Sequence, residues 1–231
     1  MTRTSDPPPA PPPPVPVPPL PLWKRGFDVV AALGLMVVLS PFFAGVTIAI
    51  LMRRDGPVFY VSERMKTVDH PFQLIKFRTM RPPAAGDDNA GVSGGDKRDR
   101  ITPLGHRLRR YRLDETPQLV NVLRGDISFV GPRPPLRRYT ESHRDLYHLV
   151  LQNRPGVTGL ASLTFHRHEE MLLAETSSST ETEAVYVRRC MPRKARIDLI
   201  YQARRSLWLD LEILLRTASR RRRRHRRRVR A

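Results

Sequence analysis

Cysteine is almost missing from this chain. Cys190 is the only one in 231 residues, so no intrachain disulfide can form and a cytosol-facing protein is expected. Acid is also scarce, with 22 Asp and Glu against 41 Lys and Arg and a net charge of +19. That imbalance excludes acidic, self-solvating classes and points to anionic partners: phosphates, nucleotides or acidic lipid headgroups. No zinc-finger spacing and no aromatic RNA-stacking motif accompany the charge, so nucleic acid is not the expected partner. No A-x-A-like site follows the first apolar run, and no cleaved signal peptide is expected.

What is present is unevenly distributed. Positions 7 to 21 are nearly all proline and positions 220 to 230 nearly all arginine. The first composition stays extended and the second repels itself, so neither can build a packed core. The expected organisation is a disordered proline-rich tail over 1–21, a membrane helix over 22–54, a catalytic domain over 55–219 and a disordered arginine-rich tail over 220–231. The arginine tail reads as an electrostatic tether to anionic membrane lipids. The rival from another class is a membrane-anchored nucleic-acid-binding or scaffold protein that acts through that tail.

From Val29 to Met52 the chain is apolar apart from Ser40 and Thr47, long enough to cross a bilayer. Two features argue for re-entry instead. Lys24 and Arg25 precede the run and Arg53 and Arg54 follow it, which keeps both ends on the cytoplasmic side. Ser40 and Pro41 stand at its centre, where proline removes a helical hydrogen bond. Each half would rise about 16 Å, roughly half a bilayer core. A kinked spanning helix is the alternative.

Pro57 to Val61 and Pro71 to Arg78 read as two short strands of a hairpin, and residues 82–100 as a loop. Leu104 to Tyr111 reads as a basic helix. Thr116 and Pro117 then read as an N-cap and first-turn residue, with Gly125 as the stop. Asp114 and Glu115 therefore stand at or just before a helix N-terminus, an end that suits carboxylates and phosphates alike. Gly131-Pro132-Arg133-Pro134-Pro135 holds Arg133 on a rigid turn, pre-organised for bidentate phosphate contact, and Arg154-Pro155-Gly156 is a second such element. Arginines on rigid loops beside a carboxylate pair describe phosphoryl transfer. His166-x-His168-Glu169-Glu170 reads as a polar loop, not a metal site. Asp198 to Ser219 has apolar residues at helical spacing, and core packing and an interfacial position both remain open for it.

Lys76 to Met80, Asp99 to Thr102, Leu113 to Leu119, Gly125 to Pro134 and Arg154 to Gly159 resemble, in order, the signature blocks of the bacterial sugar transferase family, the monotopic phosphoglycosyl transferases. The likeness runs from about Lys24 to about Thr217. It implies an α/β, mostly α fold: a re-entrant N-terminal helix bent at Ser40 and Pro41, a small β-hairpin and interfacial amphipathic helices. It also implies an enzyme that transfers a sugar-1-phosphate from a UDP-sugar to undecaprenyl phosphate and releases UMP, with Mg²⁺, at the start of exopolysaccharide or glycoconjugate synthesis. By the same resemblance Asp114 is the nucleophile and metal ligand, and Glu115 assists at the metal or the phosphate. Arg133 matches the family's phosphate-binding arginine; Arg109, Lys76, Arg78 and Arg154 complete the basic set. The implied location is a bacterial cytoplasmic membrane, with both termini and the catalytic domain facing the cytoplasm. The chain has no room for the further membrane-spanning domain of larger relatives, so it resembles the minimal catalytic form. Leu160-Ala161-Ser162 departs from the Trp and then Ala-Gln that the family often carries, and His166 to Glu183 is unusually polar. That stretch is expected to shape sugar choice, and a catalytically altered relative is the alternative it raises.

Overall fold

A computed structural model describes residues 20–54, 56–81 and 100–229, with side chains to 219. The proline-rich stretch to residue 19 and the loop over 82–99 lie outside these residues.

The apolar run folds as two helices, α1 (Leu22–Val38) and α2 (Ser40–Leu51), which meet at 61°. Pro41 falls in the first turn of α2, where a missing N–H breaks no helical bond. Ser40 Oγ donates to the Val37 carbonyl at 2.8 Å, which a backbone N–H at the end of α1 also reaches. Neither helix alone is long and apolar enough to cross a bilayer, but the bent pair meets that test together by length and composition. Their outer surface is apolar and exposed at Val30, Val37, Val38 and Ile48.

The inner face of α1 is polar. Lys24, Asp28 and Ala32, each four residues apart, are buried together. The charge pattern places Lys24 at a cytoplasmic flank of the membrane segment; the structure instead seats it 2% exposed inside the fold. Its Nζ pairs with Asp210 of α11 (Leu207–Val229) and donates to the Tyr201 hydroxyl of α10 (Met191–Arg204) at 3.1 Å. The Tyr201 hydroxyl donates in turn to Asp210 Oδ1 at 2.6 Å. One turn along α1, Asp28 Oδ1 accepts from Ser128 Oγ at 3.1 Å and from the Phe129 N–H at 3.2 Å, both in β3 (Ser128–Val130).

Strands β1 (Phe59–Met65) and β2 (Pro71–Phe77) form the expected hairpin, antiparallel from Phe59 opposite Phe77 to Met65 opposite Pro71. The first strand runs on past Val61 because its pairing with β2 continues to Met65, and Glu63 on it meets Arg137 at 2.7 Å. Helix α3 (Pro103–Tyr111) is capped by Thr102, whose Oγ1 accepts from the Gly105 N–H at 2.9 Å. A single 3₁₀ turn (Leu113–Glu115) leads into α4 (Gln118–Arg124), which ends at Gly125 with φ +79°. The turn there uses glycine's left-handed freedom. Asn121, fully buried, ties α4 to β2: its side chain accepts from the Ile75 N–H at 3.1 Å and donates to the Gln73 carbonyl at 2.7 Å.

Helices α5 (Arg137–Ser142) and α6 (Arg144–Val150) connect β3 to the parallel strand β4 (Gly156–Thr158). Short helices α7 (Leu160–Thr164), α8 (His166–Ala174) and α9 (Ser179–Val185) follow, then a π-helical turn over Tyr186–Cys190 into α10. The main core gathers Ala32, Phe72, Val122, Val130, Tyr201 and Ile213 from α1, β2, α4, β3, α10 and α11. The fold is thus mostly helical with small two-stranded sheets, as the α/β reading expects.

Two segments differ from their sequence reading. The polar stretch after His166 is helical rather than a loop, because its acids find bases: Glu169 pairs with Lys194 at 2.9 Å, and Ser178 caps α9 through the Glu181 N–H at 3.1 Å. The periodic stretch Asp198 to Ser219 is two helices, broken at Arg205 and Ser206, and α11 continues to Val229.

Removing one partner of the buried Lys24–Asp210 pair leaves an uncompensated charge in the core. Lys24→Met is expected to cost about 3–5 kcal/mol in denaturant unfolding of the detergent-solubilised chain. The double variant Lys24→Met with Asp210→Leu recovers most of that loss; equal instability of single and double variants contradicts the pairing.

Candidate active site

The link from α3 to the 3₁₀ turn is a strained residue. Arg112 takes φ +53°, a conformation uncommon for a side chain of this size. It closes α3, its N–H bonding the Arg109 carbonyl at 3.1 Å, and turns the chain so that Asp114 and Glu115 point inward, 9% and 8% exposed. Thr116 does not act as the N-cap that the Thr-Pro pair suggests. It lies in the right-handed helical region, and its hydroxyl donates to the Leu113 carbonyl at 2.7 Å. The 3₁₀ turn has taken over the start of the helix, and regular α-structure begins only at Gln118.

Three cations converge on one oxygen of Glu115. Lys76 Nζ stands 3.0 Å from Oε1, Arg112 3.5 Å and Arg133 3.6 Å. Burial works to raise the Glu115 pKa, but the charges of Arg133, Lys76 and Arg112 outweigh it and hold the carboxyl at about 2. Asp114 is the opposite case. Among the described residues it has no hydrogen bond and no ion pair, and burial, reinforced by the neighbouring Glu115 charge, pushes its pKa up against the pull of Lys76, Arg109 and Arg112. The pair therefore holds one clamped carboxylate and one left open. Burial also lowers the Lys76 pKa, with Glu115 acting against it.

Arg133 is placed by backbone. Gly131 donates to the Thr158 carbonyl at 2.9 Å, and Gly156 donates to the Pro132 carbonyl at 2.8 Å, so the turn is bonded to β4 from both sides. The strands approach so closely that a Cβ on Gly156 would sit 2.2 Å from the Gly131 nitrogen. Glycine is required there for space. Lys76 is placed by the hairpin, whose exit is fastened to the α3 cap by the Thr102 N–H bonding the Thr79 carbonyl at 3.0 Å.

The structure thus gathers Asp114, Glu115, Lys76, Arg109 and Arg133. Arg78 lies elsewhere, against Gly56 and beside Ile50 and Arg53 near the end of α2. Arg154 lies at the far end of α4, with Nη1 3.2 Å from where a Gly125 Cβ would sit and a buried Nε that has no partner among the described residues. The seven residues of α4 stand between Gly125 and the 3₁₀ turn that carries Glu115, a helical rise of about 10 Å. Arg112 is the site residue that sequence reasoning misses. Its three-residue spacing to Glu115 is a legible signal, but not the left-handed turn that aims it.

Among the described residues no group of three or more His, Cys, Asp or Glu side chains could hold a metal ion. A magnesium ion needs less, since it binds through one or two carboxylates and completes its shell with water and substrate phosphate oxygens. The open carboxylate of Asp114 beside Glu115 fits that requirement.

Residues 20–223 match the family described as bacterial sugar transferase. Over 203 residues the chain is 38% identical to the UDP-glucose:undecaprenyl-phosphate glucose-1-phosphate transferase of Caulobacter vibrioides, covering 85% of this chain and 68% of that protein. It is 35% identical over 150 residues to the exopolysaccharide production protein ExoY of Sinorhizobium fredii, covering 59% and 66%. It is 29% identical over 197 residues to a UDP-N-acetylgalactosamine-undecaprenyl-phosphate N-acetylgalactosaminephosphotransferase of Aeromonas hydrophila, covering 84% of this chain and 42% of that one.

The two carboxylates predict opposite stability effects. The Asp114 pKa is raised by folding, so its ionisation costs stability once pH exceeds its ordinary range; Asp114→Asn should stabilise the chain at pH 7 by about 1 kcal/mol. The Glu115 pKa is depressed, so its contribution is complete above its ordinary 4.5 and is lost as pH falls toward about 2. Glu115→Gln leaves three cations without their shared counter-charge and should cost about 3 kcal/mol at pH 7, with a flatter acid limb. Denaturant midpoints measured from pH 3 to pH 8 check both signs.

Proposed function

Since the chain belongs to the bacterial sugar transferase family, it is a phosphoglycosyl transferase, and we propose that it moves a sugar-1-phosphate from a UDP-sugar to undecaprenyl phosphate, releasing UMP. The observation that carries the reading is the contrast within the dyad. Asp114 is poorly solvated and, among the described residues, without a partner, the condition of a carboxylate available as a nucleophile, while Glu115 is locked by three cations.

In this mechanism an Asp114 carboxylate oxygen attacks the β-phosphorus of the donor. The bond from that phosphorus to the bridging oxygen breaks, and UMP leaves with that oxygen and its electron pair. A phosphate oxygen of undecaprenyl phosphate then attacks the same phosphorus, forming the lipid diphosphate sugar and returning Asp114 as a carboxylate. Dividing the reaction into two displacements spares the enzyme from holding donor and acceptor anions face to face in one transition state. Lys76, Arg109 and Arg133 offset the charge on the transferring phosphoryl group. Mg²⁺, held by Asp114, would add to that charge neutralisation when bound.

The acceptor is a lipid, so the site works at a bilayer surface, and we place the chain on the cytoplasmic face of a bacterial cytoplasmic membrane. The bent pair α1–α2 enters and returns at Ser40 and Pro41, supported by its exposed apolar flank. A second contact is supported by α11. Asp210 and Ile213 face the core, while Trp208 and Leu215, 81% and 68% exposed, stand two turns apart on the outer side. The arginine run continues the same helix, and each well-placed arginine adds about 1 kcal/mol toward anionic lipid. This chemistry suits the first step of exopolysaccharide or glycoconjugate assembly.

UMP release measured with undecaprenyl phosphate and Mg²⁺ across UDP-sugars, beginning with UDP-glucose, tests the reaction. One donor is expected to support turnover that Asp114→Asn reduces by at least a thousandfold. Full turnover in that variant contradicts the nucleophile, and no release from any donor by folded, membrane-bound chain contradicts the reaction.

A further inference from the structure

Among the described residues Arg64, near the site, has no counter-charge. Strand alternation sends Glu63 and Arg64 of β1 to opposite faces. Glu63 is taken up by Arg137, which binds it through two bonds at 2.7 and 3.0 Å. The next backbone N–H, of Met65, bonds the Pro135 carbonyl at 3.0 Å and fastens the end of β1 to the turn that carries Arg133. Arg64 is thereby held on the Arg133 side, with Tyr60, Tyr186 and Tyr139 as its other neighbours. Among the described residues its guanidinium makes no hydrogen bond and no ion pair.

The surrounding acids are already committed. Glu115 serves Lys76, Arg112 and Arg133. Glu169 is bound by Lys194 at 2.9 Å, and Glu183 by Arg138 at 3.1 Å and by the Tyr139 hydroxyl at 3.0 Å. Arg64 thus lies within reach of the Arg133 charge, and the acids around the two guanidiniums are already paired. Burial, then the Arg133 charge, depresses the Arg64 pKa. A fold that carries such repulsion recovers it when an anion enters between the two groups. Beside them is an aromatic wall, where the Tyr139 and Tyr186 rings lie 5.3 Å apart and Lys194 Nζ stands 5.2 Å from the Tyr186 centroid.

We propose that Arg64 and Arg133 form a second phosphate subsite next to the dyad, which takes the nucleoside-side phosphate of a nucleoside diphosphate donor, with Tyr186 walling the nucleoside end. This rests on the reaction proposed above and deepens it. The reacting phosphate faces Asp114 and Lys76, and the leaving phosphate is gripped on the opposite side of Arg133. Arg64 is a donor-binding residue, so its loss weakens donor capture more than the chemical step.

The test uses the full chain in detergent, with UDP as probe in calorimetric titration and steady-state UMP release alongside. In Arg64→Gln, UDP affinity should fall at least tenfold and the UDP-sugar KM rise at least tenfold. The kcat should stay within threefold, the undecaprenyl phosphate KM should be unchanged, and the melting temperature should remain within a few degrees. Arg64→Lys, which keeps the stem and charge but loses the fork, should fall between the two and serves if the Gln variant does not fold. Unchanged UDP affinity in either folded variant overturns the subsite, as does a rise in the undecaprenyl phosphate KM in place of the donor KM. The binding readout does not depend on turnover. Tight UDP binding by wild type that shows no UMP release would therefore count against the reaction and not against the subsite.

Discussion

A single carboxylate oxygen organises the site. Glu115 Oε1 receives Lys76 from the hairpin, Arg112 from the left-handed link and Arg133 from the Gly-Pro turn, so three separate pieces of chain are set relative to one another by one charge. Without it the three cations would repel one another. With it, Glu115 is held ionised and occupied, and the neighbouring Asp114 is left as the unpaired group. The same arrangement therefore accounts for both members of the dyad.

A second set of buried polar contacts relates that site to the bent helix pair. Lys24 and Asp28 lie on one face of α1 and reach α11, α10 and β3, while Asn121 joins α4 to β2. Apolar contacts alone allow helices to slide by a residue; a buried lysine with two partners in fixed positions does not. The height of Asp114 above the outer surface of α1 and α2 follows from these pairs.

Much of this was legible in the residues. The hairpin, the basic helix before the dyad, the glycine stop at Gly125 and the bend at Ser40 and Pro41 all follow from local chemistry, and the structure has them. What was hidden depends on partners far away in sequence. Lys24 looks like a flanking charge until Asp210, 186 residues on, is placed beside it. The stretch after His166 looks like a loop until Lys194 comes to neutralise Glu169. Thr116 and Pro117 have the composition of a cap, but Arg112 in a left-handed conformation moves the start of the helix forward by a turn. In the site, residue types identified the basic set, but only the fold separates Arg78 and Arg154 from Lys76, Arg109 and Arg133.

The covalent role of Asp114 is the central claim, and the intact mass of the chain tests it most directly. Incubated with its UDP-sugar and Mg²⁺ in the absence of any lipid acceptor, the protein should gain the mass of one sugar phosphate on the peptide containing Asp114. The adduct should disappear when undecaprenyl phosphate is added and should never form in Asp114→Asn. UMP release that requires the lipid from the start, with no adduct at any time, would contradict the account and assign the reaction to a single direct displacement.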